Sequence, residues 1–150
     1  MKKQLGFSLV ELIIIIAIIG TLSVIAIPNF SKYLTSLELN NSTKQLIGKI
    51  KIAQQNTVTE QVVYSLRMSI LGNSYFIVKT EPVEEILETH NLDDNVVFHS
   101  FTGIQNNEVV FNPAGAVEFS GTIILEHQTS LKQTRINIKP SGYLTWETIN

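Results

Sequence analysis

The sequence contains no cysteine, so whatever folds outside the reducing cytoplasm does so without a disulfide, although many exported domains of this size use one. Proline is scarce, with four residues, and each marks a break: Pro28, Pro82, Pro113 and Pro140. From Thr80 to Leu131 there is neither lysine nor arginine, while nine acids fall there. That lack argues against a generic nucleic-acid-binding surface over the middle of the chain. Chemistry-bearing patterns are missing too. There is no Gly-rich phosphate loop, no Gly-x-Ser-x-Gly elbow and no credible Ser/His/Asp set, which leaves an enzymatic reading without residues to carry it. His90, His99 and His127 lack both the helical spacing and the cysteine partners of a zinc site, and read as surface or packing residues. Asp93-Asp94-Asn95 beside Glu88 offer oxygen atoms of the kind calcium takes, yet without EF-hand spacing. A solvated turn is the favoured reading there.

What the chain has in abundance is one apolar run. From Phe7 to Ile27, 16 of 21 residues are apolar and Glu11 alone is charged. As a helix this stretch is about 32 Å long at 1.5 Å per residue, the thickness of a bilayer's hydrocarbon layer. A secretory signal has a shorter apolar region ending in a small-residue cleavage site. Here the small residue, Gly6, stands before the run and follows a basic leader, Met1-Lys2-Lys3-Gln4-Leu5, so that cutting after it keeps the hydrophobic helix on the product. Glu11 is costly in such surroundings, where a charged side chain at a helix centre is penalised by about 3 kcal/mol, and such a residue has a partner or a task. Pro28 closes the run and is expected to kink the helix.

Gly6-Phe7-Ser8-Leu9-Val10-Glu11, followed by an uncharged stretch, resembles the class III signal of type IV pilins and of the pseudopilins of type II secretion and competence systems. The resemblance implies a prepilin peptidase that cuts between Gly6 and Phe7 and methylates the new Phe7 amine. It also implies that Glu11 pairs with an N-terminal amine during assembly and sets the axial register. Other pilin or pseudopilin subunits and an inner-membrane assembly platform are the further partners implied, with no cofactor. The protein is then expected as a single-pass component of the bacterial cytoplasmic membrane, its head outside the cytoplasm, and afterwards in a periplasmic or cell-surface filament.

Four segments follow: a leader at 1–6, a membrane-spanning and filament-core helix at 7–28, an amphipathic helical half at 29–57, and a β-rich head at 58–150. In the second half Phe30, Leu34 and Leu37, then Leu46, Ile50 and Ala53, recur at helical spacing, and this stripe is expected to dock on the head. From Gln61 the period falls to two, with Val62, Tyr64, Leu66, Met68 and Ile70 on one face. Leu71-Gly72-Asn73-Ser74 is a turn, and Tyr75 to Thr80 returns to complete a hairpin. Glu84 to Asn95 reads as an acidic loop or short helical turn. Strands are expected at Val96–Phe101, Glu108–Asn112, Ala116–Phe119, Thr122–His127, Thr134–Lys139 and Tyr143–Trp146, with turn residues between them. The fold class is α+β, a long N-terminal helix packed on a mostly antiparallel head. The C-terminal third, through Phe111, Gly115, Gly121-Thr122-Ile123-Ile124-Leu125, Arg135-Ile136-Asn137-Ile138 and Ser141-Gly142-Tyr143-Leu144, resembles GspH and FimT type minor pseudopilins.

The expected function is a structural minor subunit acting in initiation or at the tip of the filament. A major subunit is one alternative, and a single-pass protein that never polymerises is another. A third is a DNA-binding minor pilin of a transformation pilus, with Lys132, Arg135 and Lys139 as phosphate contacts. DNA-binding members of the FimT type resemble one another in carrying arginine after the glycine corresponding to Gly142, and this chain has Tyr143 there. Charge is uneven elsewhere as well. Residues 32–51 hold four lysines and only Glu38, so a basic stem and an acidic head face are placed to attract neighbouring subunits or simply to be solvated.

Overall fold

The computed structural model describes residues 8–149. Helix α1 spans Leu9–Glu60 and eight strands follow it: β1 Tyr64–Ser69, β2 Ser74–Lys79, β3 Glu85–Asn91, β4 Val96–Thr102, β5 Glu108–Val110, β6 Gly121–His127, β7 Gln133–Ile138 and β8 Leu144–Ile149. The chain divides between Ser36 and Leu37 into two compact units. From Leu9 onward the first is helix. It is bent between Val24 and Asn29, and its Phe30 and Leu34 are exposed.

The second unit, the head, begins with the amphipathic part of α1. Leu39, Leu46, Ile50 and Ala53 are buried, at successive separations of seven, four and three residues, so one helix face enters the core. Of the expected stripe, Phe30 and Leu34 fall in the first unit, and Leu37 is partly buried. The strands form two antiparallel four-stranded sheets, ordered β3-β2-β1-β5 and β4-β6-β7-β8. Alternation explains the inner faces: Leu66 and Met68 of β1, Ile123 and Leu125 of β6, and Ile136 and Ile138 of β7 are buried with the helix stripe in one cluster.

Two expectations about the head are overturned. Glu84 to Asn95 is not a loop, since β3 pairs antiparallel with β2 over six residue pairs from Lys79 and Glu85 to Ser74 and Asn91. It lies at a sheet edge with hardly a side chain covered, so selection for alternation is weak and the acidic composition hides the strand. His90, taken for a loop residue, is therefore on β3. Ala116–Phe119 is not a strand. Its pairing is cut short: the Asn112 amide donates to the Ala116 carbonyl at 2.9 Å and the Glu118 amide to the Val110 carbonyl at 3.0 Å, but Asn112 Oδ1 accepts from the Ala114 and Ala116 amides at 3.1 Å each, and the Val117 amide donates to the Pro140 carbonyl at 3.1 Å. A single bridge between Phe111 and Val117 is what remains of the expected pairing.

Three ties fix the helix within the head. At its end Thr57 Oγ1 donates to the Ala53 carbonyl and accepts from the Tyr64 amide, both at 3.0 Å, which joins the last turn to β1. In the middle Gln54 Nε2 donates to the Gly115 carbonyl at 2.6 Å. Gly142 closes over the same amide with φ of +77°, and a Cβ there would collide with Gln54 Nε2 and the Gly115 carbonyl. Nearer residue 38, the buried His127 reaches Glu38 Oε2 through Nε2 at 2.9 Å. Its Nδ1 accepts from the Thr129 and Ser130 amides at 3.2 and 3.4 Å, so the ring proton sits on Nε2 and donates to the carboxylate. Asn95 Nδ2 donates to the same oxygen at 3.1 Å.

Replacing Gly142 by alanine combines a strained positive φ with a steric collision and should cost about 1–3 kcal/mol. Urea unfolding of the purified full-length protein in detergent reads this, and a change below about 0.5 kcal/mol, the scale of an ordinary surface substitution, would show that the turn is not packed as described. The hydrogen bonds from His127, then Asn95, hold the Glu38 carboxyl below the usual carboxylate range. A lowered folded-state value gives stability that is present above the unfolded value, near pH 4.3, and is lost as pH falls through the folded one. The melting temperature should therefore fall below about pH 4.3, with a shallower acid slope in Glu38→Gln; identical slopes would remove Glu38 from that account.

Candidate assembly helix and head surfaces

The helix start is built by two short-range contacts. Ser8 Oγ accepts from the Val10 amide at 3.2 Å, and the Ser8 amide donates to Glu11 Oε2 at 2.9 Å, while the Leu12 amide closes the first helical turn on the Ser8 carbonyl at 3.2 Å. This is a capping box: a Ser at the cap and a Glu three residues on satisfy amides that the helix itself leaves open. A carboxylate at this end is also favoured by the helix dipole. Ser8 went unremarked in the sequence reading, although the Ser-x-x-Glu spacing is itself the signal. Gly6 and Phe7, where cleavage and methylation are expected, lie outside the described residues.

From Ser8 to Leu22 every side chain is exposed, Leu9 by 74% and Ile19 by 58%. Leucine and isoleucine cover all sides of this helix, and among the described residues they stay exposed. A helix apolar all round is buried in a membrane or among other helices. Among the described residues no single helix is long and apolar enough to cross a membrane, but Leu9–Val24 and Asn29–Glu60 pass that test together across the break between them. Pro28 lies in that break.

The three basic residues considered as DNA contacts are spread along one strand. Arg135 is on β7, where Nη1 meets Glu147 Oε1 of β8 at 3.1 Å. Lys132 precedes the strand. Lys139 follows it, its Nζ 5.5 Å from the Tyr143 ring centroid. About 23 Å separates the two lysines at 3.3 Å per residue, with an ion-paired arginine between. Oxygen atoms considered for calcium are divided among other partners. Glu88 Oε2 is 2.6 Å from Lys49 Nζ and 2.7 Å from His90 Nε2, whereas Asp93 Oδ2 accepts from Ser42 Oγ at 2.6 Å. The Lys49 bond and then the His90 bond hold the Glu88 carboxyl low. Among the described residues no three His, Cys, Asp or Glu side chains are grouped to hold a metal ion. His99 Nδ1 lies 3.1 Å from Glu126 Oε2, at the surface.

An open groove runs between α1 and the turn before β8. Lys51, Gln54 and Val58 line one side, with Gly115, Gly142 and Tyr143 opposite. No spacing rule connects Gln54 to those glycines across 61 or more positions, and only the fold reveals it as their tie.

Comparison with known proteins agrees with this geometry at both ends. Residues 1–27 match the prokaryotic N-terminal methylation motif. The fimbrial protein EcpB of Eikenella corrodens is 29% identical over 108 residues, 72% of this chain and 65% of that protein. A fimbrial protein of Pseudomonas aeruginosa is 37% identical over 60 residues, 40% of this chain and 38% of its own. The chain thus spans less than two thirds of the length of these curated relatives. Among solved structures, the minor pseudopilin EpsH from the type 2 secretion system of Vibrio cholerae superposes with a TM-score of 0.62 at 12% identity, over 73% of this chain and 96% of that one. The type IV minor pilin FimU of Pseudomonas aeruginosa gives 0.60 at 13%, over 77% and 92%. At such identities the likeness is one of fold. The chain thus carries the N-terminal methylation motif ahead of an apolar helix, is similar in sequence to fimbrial proteins, and has a head with the fold seen in a minor pseudopilin and a type IV minor pilin.

Proposed function

We propose that the chain is a structural minor pilin or pseudopilin subunit of a type II secretion or type IV pilus-like filament, acting in initiation or at the tip. One observation carries the reading: the helix entered through the methylation motif is apolar on every side and uncovered within its own chain. Each leucine or isoleucine moved out of water contributes about 1.5–3 kcal/mol, so this helix first rests in the cytoplasmic membrane and then among the helices of other subunits. A prepilin peptidase cuts between Gly6 and Phe7 and methylates the new amine. Glu11 then answers the amine of a subunit already in place, an attraction that a low-dielectric bundle strengthens. The assembly platform in the inner membrane supplies the site of transfer.

Support for the minor class comes from the likeness of the head to EpsH and FimU. A DNA-binding role draws less support, since the Arg135 charge is already met by Glu147. The role is structural, with no reaction assigned to any residue.

In Glu11→Ala the processed N-terminus, read by mass spectrometry as a chain beginning with methylated Phe7, should persist while the subunit disappears from sheared filaments. Wild-type incorporation of that variant would overturn the register role, and an unprocessed Met1 in the wild-type protein would overturn the whole reading.

A further inference from the structure

The head has two flanks of opposite character, and the helix holds one on each shoulder. Lys49 binds Glu88 of β3, whereas Gln54 binds the Gly115 turn. Five residues apart on a helix, these two side chains point about 140° away from each other. On the first flank β3 is an edge strand whose side chains are nearly all exposed. Val83, Ile86 and Leu87 are exposed by 74, 54 and 44%. Leu87 is the residue passed over where the register with β2 slips, since Ile77 faces Glu88 and Val78 faces Ile86. Around them stand Glu81 and Glu85, which have no ion-pair partner among the described residues, although Glu84 is held by Arg67 and Glu88 by Lys49.

The other flank is the groove of Lys51, Gln54, Val58 and Tyr143. Val58 is 43% and Tyr143 62% exposed. Lys51 has no ion-pair partner among the described residues, and Lys139 is stacked on Tyr143 rather than paired with an acid. So the acidic edge presents apolar side chains with unanswered carboxylates, and the groove presents apolar and aromatic surface with unanswered ammonium groups. Either patch alone is an ordinary surface. Together they are complementary, and because they occupy different flanks, the contact they make is heterologous and continues from one copy to the next.

We propose that heads of adjacent copies of this chain bind flank to flank, the β3 edge of one against the Lys51–Tyr143 groove of the next. The inference rests on the filament reading above and deepens it. A short run of copies joined in this way is a template for the first turn of a filament, which is what initiation requires. Apolar contact at Val83, Ile86, Val58 and Tyr143 holds the pair, and Glu81 and Glu85 against Lys51 and Lys139 select the orientation.

The absence of cysteine makes the test clean. Ile86→Cys and Tyr143→Cys are placed in separate full-length copies, expressed together in cells, oxidised, and read as disulfide-linked species in membranes and sheared filaments. A dimer should form only when both variants are present. A chain carrying both substitutions should give a ladder of multimers. Glu81→Lys with Glu85→Lys should reduce the yield at least fivefold, and Lys51→Glu with Lys139→Glu in the partner copy should restore it. Dimers from either single variant alone, or bonds formed at equal yield after charge reversal, would overturn the proposal while leaving the filament reading intact. A wild-type chain that is unprocessed and absent from filaments would remove the filament reading and this inference with it.

Discussion

An α-helix with leucine and isoleucine on every side cannot be satisfied by the chain that carries it. A head can cover one stripe of a helix, and here it covers the stripe through Leu39, Leu46, Ile50 and Ala53. Further toward the N-terminus the apolar side chains from Leu9 to Leu22 stay exposed. That unmet burial is the constraint on which the remaining structure depends. It demands either lipid or other helices, and a protein able to exchange one for the other is able to assemble. Because lipid tails and neighbouring helices are about equally apolar, the exchange itself is driven by packing and by specific polar contacts rather than by loss of water.

The second half of the helix imposes the opposite requirement, since there the head must grip tightly. It does so with three polar ties at different heights rather than with apolar packing alone. Thr57 joins the last turn to β1, Gln54 holds the Gly115 turn, and Glu38 meets a histidine whose tautomer is fixed by the loop amides behind it. Each tie satisfies a buried or half-buried polar group that would otherwise be a cost. Gly142 is the point where backbone freedom is required, because both its positive φ and the approach of Gln54 exclude a side chain.

Much of this was legible in the sequence, and the limits have physical causes. The apolar run and its single carboxylate announce themselves because composition alone carries them. The β1–β2 hairpin is legible because Leu66 and Met68 alternate and Gly72-Asn73 supplies the turn. β3 was not, since a strand at an exposed edge has no buried face to enforce a period of two. Residues 116–119 look like a strand locally, yet Asn112 and Pro140 take the Ala116 and Val117 amides and leave a single bridge to Phe111, and no local rule contains that competition. The pairing within the considered DNA footprint was hidden for a related reason. Arg135 looks available until the strand register sets Glu147 opposite it.

The capping box bears on what Glu11 can contribute in the proposed assembly. Its carboxylate already has a donor in the Ser8 amide, so it enters a bundle with part of its hydrogen-bonding capacity satisfied. A carboxylate accepts several hydrogen bonds, so one oxygen held by the cap leaves capacity for an ammonium group from another subunit. A fixed carboxylate also loses less side-chain entropy on pairing than a free one, and it presents its charge at a defined height along the helix. Desolvating two charges largely offsets their attraction, so the pair adds little net affinity, but a subunit displaced along the axis leaves the carboxylate unpaired and carries the desolvation cost without the compensation. Affinity in such a bundle comes from the apolar side chains, which tolerate sliding. Register comes from the one group that does not.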